Sequence, residues 1–332
     1  YGGRRVSQDR SDIETSSKIL VGTPGRGADH LRRYFFDTDH IKVLVLDEFD
    51  KSLEIGFEGE MIEILDSLPH IKKKILTSAT QEFKVPAFVG LNNPGRINYL
   101  HEAVHKLEIK KIVVGNDLLE GLADSLKAIG NKPGIIFCNY KDTIAGISDF
   151  LTSKDISHGL FYGGLEQIDR ERALIKFRNG THQLLLATDL AARGIDVPEI
   201  KFIIHYELPY KEKEFTHRNG RTARMNAEGT AYVLTRKGAK LPDYMPELED
   251  ANLAGGKDLK PSEWTTLYIT GGKKDKISKG DIAGLFMKQA GLEPYEVGHI
   301  EIKLDSTFVS VHKTQLSKAI AKTNNTRVKR SE

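Results

Sequence analysis

The chain has 332 residues, of which 39% are hydrophobic, and a formal net charge of +3. It is therefore long enough for two or three domains and apolar enough for a packed core. A single cysteine, Cys138, excludes an internal disulfide and a zinc-binding cluster of cysteines. Because no apolar run approaches the length of a membrane span and no signal-peptide pattern is present, we expect a cytoplasmic protein with no membrane or disulfide partner.

The positive charge is concentrated towards the C-terminal end. The segment from Leu267 to Glu332 has twelve Lys and Arg against seven Asp and Glu, whereas the remainder is slightly acidic. A basic module on a near-neutral body is typical of polyanion-binding proteins, although charge alone also fits an ordinary soluble surface. Because the sequence begins at Tyr1 and not at a methionine, we expect it to be part of a longer protein.

The N-terminal third is predicted to alternate strands with helices. The predicted elements are strand 18–21, helix 28–36, strand 41–46, helix 58–68, strand 74–77 and helix 83–91. The first strand leads into a glycine-rich turn with Gly25 and Arg26, which can present N–H groups and a cation to a phosphate backbone. The second strand is almost entirely apolar, as expected for a strand covered on both faces.

Acidic and hydroxyl residues follow two of these strands. Asp47 and Glu48 lie at the carboxyl end of the second strand, where α/β folds bind ligands. One carboxylate can hold Mg²⁺ through water while the other orients or deprotonates an attacking water, although strands also end in Asp for turn formation alone. Ser78 and Thr80 follow the third strand, where they either couple the acidic site to a neighbouring surface or cap the next helix.

From Asp117 a second α/β pattern predicts a doubly wound parallel sheet. Its predicted elements are helix 117–129, strand 134–138, helix 141–152, strand 158–161, helix 166–178 and strands 183–187, 201–205 and 230–234. Gly163 and Gly164 precede Gln167 and Arg170, and a glycine-rich entry to a helix N-terminus is suited to phosphate binding.

A basic block follows in the same region. His217, Arg221 and Arg224 are spaced i, i+4 and i+7, so they share one face if the block is helical. Two guanidiniums and an imidazole on one face form a receptor for phosphate oxygens. The alternative interpretation is a solvated basic helix. This alternative is less favoured because segment 188–196, which follows a buried strand, contains an Arg-Gly pair and an Asp.

The C-terminal quarter has a third pattern. A segment rich in Pro, Gly and charge at 237–263 is predicted to be a linker. It is followed by strand 265–270, a basic loop with Lys273, Lys274 and Lys276, helix 279–290, strands 300–304 and 308–312, helix 314–322 and the start of a last strand at 327–329. This order indicates a small split βαβ domain of the RNA-recognition kind. Because the aromatic stacking pattern of such domains is not evident, RNA binding is predicted on the lysine loop.

Seven motifs, in family order and spacing, resemble those of the DEAD-box RNA helicases. They are Tyr1-Gly2-Gly3, Thr23-Pro24-Gly25-Arg26, Asp47-Glu48-Phe49-Asp50, Ser78-Ala79-Thr80, Phe137 with Gln167 and Arg170, Thr188 to Asp196, and His217 to Arg224. The region from Leu267 resembles the C-terminal RNA-binding domain of the DbpA subgroup. The resemblance implies an α/β fold of two RecA-like lobes with parallel sheets, the first lobe truncated, and a small α+β RRM-like domain. The implied domains are part of the first lobe at 1–112, the second lobe at 113–236, the linker at 237–263 and the RNA-binding domain at 264–332.

The resemblance also implies roles for individual residues. At ATP, Asp47 is expected to hold Mg²⁺ through water and Glu48 to position the attacking water. Arg221 and Arg224 are expected to reach the γ-phosphate. Gly194 and Asp196 are also expected at ATP, with Asp196 in contact with the ribose. Those expected to couple the lobes are Asp50, Ser78, Thr80 and His217. Those expected to hold RNA are Gly3, Gly25, Arg26, Gln167, Arg170 and Thr188 in the lobes and Lys273, Lys274 and Lys276 in the C-terminal domain.

The chain departs from the family pattern at several positions. Phe49 replaces a small alanine beside the acidic pair, Ala223 replaces a glycine, and Tyr140 stands where threonine or serine is common. No G-x-x-x-x-G-K-[ST] motif occurs in these residues. We therefore expect triphosphate binding by this chain alone to be very weak, and the missing P-loop to precede Tyr1.

These observations predict a monomeric ATP-dependent RNA helicase or RNA chaperone that unwinds short duplexes locally. The subgroup resemblance implies that its target is structured ribosomal RNA in ribosome assembly, with the C-terminal domain as a tether. The alternative is a non-enzymatic RNA-binding scaffold that has lost its ATPase activity, for which RNA affinity is unaffected by ATP. A two-lobe DNA helicase is a third interpretation, distinguished by its response to the 2′-hydroxyl group.

Overall fold

A computed structural model describes residues 13, 18–54, 56–78, 85–98, 107–189, 200–223, 228–253 and 259–328. The chain forms two compact units, Tyr1–Val104 and His105–Glu332. Within the part of the chain that the structure describes, no helix is both long enough and apolar enough to cross a membrane.

The first unit is organised around two parallel strands. β1 (Val43–Leu46) pairs with β2 (Lys73–Leu76). The helices described with them are α1 (Pro24–Arg32), α2 (Phe49–Glu54) and α3 (Glu58–Asp66). Phe49, Met61 and Val89 form the buried centre of this unit.

One face of β1 is open in the first unit. Val43 and Val45 are 51% and 54% exposed, whereas Leu46 packs on the core around Phe49. The prediction that this strand is covered on both faces is therefore wrong for the described residues, because the core of the unit lies on one side of the strand.

The ends of the first unit also differ from the predicted elements. Residues 18–21 have no regular secondary structure, so the predicted first strand is wrong. α1 begins inside the predicted turn, at Pro24, because the fixed φ of proline suits the first position of a helix. In place of helix 83–91, the described residues contain a 3₁₀ turn at Ala87–Val89, and residues 81–84 lie outside the described part.

The second unit is built on a parallel sheet of seven described strands, which confirms the predicted doubly wound class. The strands are β3 (Leu107–Val114), β4 (Gly134–Phe137), β5 (His158–Phe161), β6 (Leu184–Ala187), β7 (Phe202–His205), β8 (Gly229–Arg236) and β9 (Glu249–Asp250). Their spatial order is β5-β6-β4-β7-β8-β3-β9, so the ends of β6, β4 and β7 are neighbours although they are far apart in the sequence. The short strand β9 lies within the predicted linker and pairs with β3.

Helices cover both faces of this sheet. They are α4 (Leu118–Ile129), α5 (Lys141–Ser153), α6 (Gln167–Arg178) and α7 (Glu212–Asn219). Successive residues of a strand point to opposite faces. Ile136 of β4 packs with Leu122 of α4 and Ile147 of α5. Its neighbour Ile135 packs with Phe177 of α6, so the sheet is the central layer of a three-layer structure.

The C-terminal part forms a small α+β domain on a three-stranded antiparallel sheet. The strand order is β10-β12-β11, with β10 (Trp264–Thr270), β11 (Val297–Ile302) and β12 (Ser306–His312). α8 (Lys279–Gly284), which continues as a π-helical turn, and α9 (Leu316–Thr323) pack on one face around Phe286, Val309 and Ala319. Residues 327 and 328 are not in a strand, and the rest of the predicted last strand lies outside the described residues.

The other face of this small sheet contacts the end of α6. The Ser310 hydroxyl donates a hydrogen bond to the carbonyl of Asn179, which follows α6, at 2.9 Å. Arg178, the last residue of α6, forms an ion pair with Glu301 of β11 at 2.9 Å. The C-terminal domain is therefore docked on the second lobe through the sheet face opposite its helices.

Candidate functional site

The carboxyl ends of β1 and β2 form an acidic turn. The Thr77 hydroxyl donates to Asp47 Oδ1 at 2.5 Å. The N–H of Glu48 lies 3.1 Å from Asp47 Oδ1 and 3.2 Å from Thr77 Oγ1. These bonds support Glu48 at a φ of +46°, in the left-handed region that costs an ordinary residue roughly 1–2 kcal/mol. Both carboxylate residues are exposed. Thr77, which lies outside the motifs quoted above, is a further residue of this candidate site.

The two residues after the acidic pair are buried. The ring of Phe49 lies in the core of the first unit, with its centroid 6.5 Å from that of Phe88. The Phe49 N–H donates to the Thr77 carbonyl at 3.1 Å, and Asp50 is buried in the same helix. The large side chain that replaces alanine thus packs into the core, and it leaves the acidic turn open.

A buried arginine ties together the ends of β6, β4 and β7. Arg218 of α7 is 1% exposed and donates to both carboxylate oxygens of Asp189 at 2.6 Å. It also donates to Asn139 Oδ1 at 2.7 Å and to the Glu207 carbonyl at 2.5 Å. The Glu207 carboxylate accepts from the Asn139 N–H at 2.6 Å and from the Thr143 hydroxyl at 2.9 Å. Arg218 lies inside the basic block, but the spacing of that block does not predict this network.

A neutral histidine lies behind this network. His205, at the end of β7, is buried between Phe137 and Phe215, with centroid distances of 6.3 Å and 4.5 Å. Burial, reinforced by the charge of Arg218, lowers the pKa of His205 to about 3. The ring is therefore uncharged at neutral pH, and its Nε2 lies 2.9 Å from Asn219 Oδ1.

The basic block does not form one continuous helical face. α7 ends before Arg221, whose Nε donates to the His217 carbonyl at 3.4 Å. Thr222 is buried and donates to a backbone carbonyl at 2.5 Å, and Ala223 has a φ of +51°. The condition for a shared face, a helix through the whole block, is therefore not met, because the helix ends at Asn219 and Arg224 lies outside the described residues. The contact with the His217 carbonyl nevertheless keeps Arg221 beside that residue.

The residues predicted to hold an RNA backbone lie at helix starts and at a strand end. Gln167 and Arg170 are in the first turn of α6, after β5, and Thr188 directly follows β6, so these three share the carboxyl edge of the second-lobe sheet. Arg170 Nε is buried and has no hydrogen-bond partner among the described residues. Gly25 and Arg26 lie in the first turn of α1 in the first unit.

The lysine loop is held in an exposed turn. Lys273, Lys274 and Lys276 are all exposed. The Lys273 N–H donates to the Lys303 carbonyl at 2.8 Å. A Cβ atom on Gly272 would lie 2.4 Å from the Lys303 carbonyl oxygen, so this close approach requires glycine. The loop therefore presents three ammonium groups on a fixed backbone.

Some predicted residues lie outside the described part of the chain. They are Gly3, Thr80, Gly194, Asp196 and Arg224. Of the residues expected to couple the lobes, Ser78 directly follows Thr77 and is described, as are Asp50 and His217. Among the described residues, no group of three or more His, Cys, Asp or Glu is arranged to hold a metal ion. An ion held through water by Asp47 does not require such a group.

Comparisons with known proteins cover most of the chain. Three family models match it: DEAD/DEAH box helicase over residues 1–88, Helicase conserved C-terminal domain over 116–226 and DbpA RNA binding domain over 266–332. Proteins named ATP-dependent RNA helicase eIF4A from Mycosarcoma maydis and Phaeosphaeria nodorum are 34% and 32% identical over 236 residues, or 69% of this chain. These matches cover 57% and 60% of the two relatives, so the chain spans less than two thirds of their length.

Solved structures of related fold were also found. S. cerevisiae Dbp5 bound to RNA and ADP BeF3 is 24% identical with a TM-score of 0.58, over 67% of this chain and 60% of that one. Mss116p bound to ssRNA and AMP-PNP is 24% identical with a TM-score of 0.59, over 71% and 52% of the two chains. At this identity the likeness shows the RecA-like fold alone. With three family models in the expected order, the chain belongs to the DEAD-box helicase family and carries a DbpA-type RNA-binding domain.

Proposed function

We propose that this chain is part of an ATP-dependent RNA helicase or RNA chaperone that separates short RNA duplexes locally. The observation that carries the proposal is the acidic turn, in which Thr77 holds Asp47 and the Glu48 backbone while both carboxylate residues stay exposed. Membership of the DEAD-box family supports hydrolysis of ATP as the reaction at this turn.

The acidic turn is suited to hydrolysis of a phosphoanhydride. Asp47 fits a magnesium ion held through water, which supplies charge neutralisation at the phosphates. Glu48 fits the orientation or deprotonation of the attacking water, because its backbone is fixed by two hydrogen bonds while its side chain is exposed. Arg221 and Arg224 supply positive charge for the transferred phosphoryl group.

RNA binding is proposed at two places. In the lobes, Gln167, Arg170, Thr188, Gly25 and Arg26 fit backbone contacts, which give binding independent of sequence. In the C-terminal domain the lysine loop supplies a tether, which raises the effective concentration of nearby duplexes. Because this domain contacts the end of α6, we propose that it keeps a fixed position relative to Gln167 and Arg170 at the start of the same helix.

The target, location and assembly state belong to the same proposal. The DbpA-type domain supports structured RNA as the target, and we propose ribosomal RNA, with a role in ribosome assembly. A cytoplasmic location and action as a monomer are proposed with it. Crosslinking of the tagged full-length protein to RNA in cells, followed by sequencing, tests the target. Enrichment of ribosomal RNA supports the assignment, and enrichment of messenger RNA alone contradicts it.

A substitution of the predicted base tests the enzymatic function. Glu48→Gln in the full-length protein keeps the shape of the side chain but removes the base, so RNA-stimulated phosphate release should fall about 100- to 10,000-fold. RNA affinity, measured by fluorescence anisotropy, should be retained. Glu58→Gln, at an exposed glutamate that begins α3, is the matched control and should keep normal turnover.

Two outcomes would contradict this function. Normal turnover in Glu48→Gln overturns the assignment of the base. An unsubstituted full-length protein that binds RNA with the same affinity in the presence and absence of ATP, and that releases no phosphate, supports the non-enzymatic scaffold instead.

A further inference from the structure

Two exposed tyrosines lie together at the carboxyl edge of the second-lobe sheet. Tyr140 follows β4 and Tyr210 follows β7, and the two residues are 53% and 76% exposed. Their hydroxyl groups are hydrogen-bonded at 2.5 Å although the residues are 70 positions apart. β4 and β7 are adjacent and parallel, with Phe137 paired to His205, so the register of the sheet brings this tyrosine pair together.

The backbone beneath the tyrosine pair is anchored on both sides. The Asn139 side-chain amide donates to the Leu208 carbonyl at 3.0 Å, and the Asn139 N–H donates to the Glu207 carboxylate at 2.6 Å. The Tyr244 hydroxyl donates to the Pro209 carbonyl at 2.5 Å. Because the residues before both tyrosines are held in place, a ligand that binds the rings has little backbone left to order, which lowers the entropic cost of binding.

The charges around the tyrosine pair are nearly balanced. Lys141 and Lys211 directly follow the two tyrosines and are exposed. Asp142 and Glu212 come next, in the first turns of α5 and α7, where acidic side chains stabilise the helix N-termini. The hydrogen bond with Tyr210 raises the pKa of Tyr140, so that phenol is neutral at physiological pH. A ligand at the tyrosine pair would therefore contact aromatic surface and would meet little net charge.

We propose that the tyrosine pair is a stacking platform for unpaired RNA bases, with Lys141 and Lys211 beside the flanking phosphates. The inference rests on the proposed RNA function and adds to it a base-binding site on the second lobe. Stacking on aromatic rings tolerates every sequence, because each base has a π-face. A threonine or serine at the position of Tyr140 would offer a hydroxyl group and no ring, so the platform depends on this chain's departure from the family pattern.

The position of the tyrosine pair favours single-stranded RNA as the occupant. Thr188 follows β6, and β6 is the neighbour of β4, so Thr188 and the tyrosine pair lie along the same edge of the sheet. An RNA strand whose backbone is bound at Thr188 can therefore place its neighbouring bases over the rings of Tyr140 and Tyr210. Base-paired RNA keeps its bases stacked on one another and offers no free faces to such a platform.

Oligonucleotides with and without bases test the platform. A labelled oligouridine of about ten nucleotides and an abasic strand of equal length are each titrated with the 332-residue chain. Tyr140→Ala and Tyr210→Ala should each bind oligouridine roughly 5- to 100-fold more weakly, with no change for the abasic strand. Tyr34→Ala, at another highly exposed tyrosine, is the matched control and should bind both strands normally.

A conservative variant separates stacking from hydrogen bonding. Tyr140→Phe keeps the ring and loses the hydroxyl group, so its oligouridine affinity should stay within about threefold of the unsubstituted chain. A loss as large as that of Tyr140→Ala would identify a hydroxyl contact and overturn the stacking platform. Circular dichroism of each variant checks that it is folded, as expected for substitutions at exposed positions.

Ultraviolet crosslinking supplies a second measurement of the same site. Irradiation of the chain with oligouridine should yield crosslinked peptides that contain Tyr140 or Tyr210. If the unsubstituted chain binds oligouridine and both alanine variants bind it equally well, the platform is overturned while RNA binding stands. If the unsubstituted chain binds no RNA, the proposed function and this inference both fail.

Discussion

Thr77 and Arg218 each hold a turn of a candidate site through hydrogen bonds between the ends of neighbouring strands. Thr77 fixes the Asp47 carboxylate, while Arg218 joins the ends of three strands through Asp189, Asn139 and Glu207. A buried guanidinium is tolerated in a protein when its donors meet acceptors and its charge is paired. Single polar side chains therefore set the shape of both candidate sites.

Loss of the Thr77 hydroxyl should weaken catalysis more than folding. In the full-length protein, Thr77→Val keeps the size of the side chain but releases Asp47, and we expect RNA-stimulated ATP hydrolysis to fall about 10- to 100-fold. Thr77→Ser retains the hydroxyl and should recover most of the activity. Phosphate release at saturating RNA measures both variants, and full activity of Thr77→Val would show that Asp47 needs no such support.

The buried histidine should make the second unit sensitive to acid. The pKa of His205 is lowered from 6.5 to about 3 by burial, so between these values the unfolded chain binds a proton that the folded chain does not. The contribution of the neutral His205 side chain to the free energy of unfolding is therefore complete above pH 6.5 and is lost as the pH falls towards 3. At about pH 5 the loss should be about 2 kcal/mol.

Urea denaturation at neutral pH and at about pH 5 measures this dependence. His205→Gln cannot take up a proton, so the difference in pH dependence between it and the unsubstituted chain isolates His205 from other histidines. Equal acid sensitivity of the two proteins would contradict the assignment.

Among the secondary-structure elements, α6 serves two surfaces. Its first turn carries Gln167 and Arg170 at the carboxyl edge of the sheet, and its last residue, Arg178, contacts the C-terminal domain. Gly180 has a φ of +73° and lies against the Trp264 ring, so the turn after the helix forms part of the same contact. A single helix therefore connects the edge of the lobe that we propose for RNA binding with the C-terminal domain.

The contact at the end of α6 should contribute measurably to stability. Arg178 and Glu301 are 23% and 17% exposed, and a double-mutant cycle with Arg178→Ala and Glu301→Ala should give a coupling free energy of about 1 kcal/mol in urea denaturation. The more exposed pair Lys154 and Glu120 is the matched control, with an expected coupling below about 0.5 kcal/mol. Zero coupling at Arg178 would show that this ion pair does not stabilise the contact.

At the scale of the whole chain, the two units differ in how completely their sheets are covered. The second unit buries β4, β6 and β7 between helices on both faces. The first unit has a sheet of two described strands, with Val43 and Val45 half exposed. Because two-stranded sheets have little stability of their own, we expect β1 and β2 to open more readily than the strands of the second unit.

Hydrogen exchange should therefore separate the two units. In the 332-residue chain, the amides of β1 and β2 should exchange with lower protection than those of β4 and β6, because local opening of a sparsely packed sheet costs less free energy. Mass spectrometry of deuterated peptides measures the protection of each strand, and equal protection of all four strands would contradict this expectation.

Local patterns of sequence accounted for much of the fold. In the second unit the predicted strand 134–138 and helix 166–178 lie within one residue of β4 and α6, because burial on both faces and helical periodicity are properties of short segments. Prediction failed where tertiary context or turn chemistry decided the local structure. Residues 19–21 are apolar but do not form a strand, and Arg221 lies beyond the end of α7.

The sequence by itself determined the family, the order of most elements of the second unit, and the residue types at the acidic turn and the basic block, since each of these is encoded within a few neighbouring positions. Only the tertiary structure decided which side chains meet. Thr77 reaches Asp47 across 30 positions, and Tyr140 reaches Tyr210 across 70. Parallel strands bring their carboxyl ends together in the spatial order β6-β4-β7 and not in the order of the chain, so no spacing in the sequence reports these contacts.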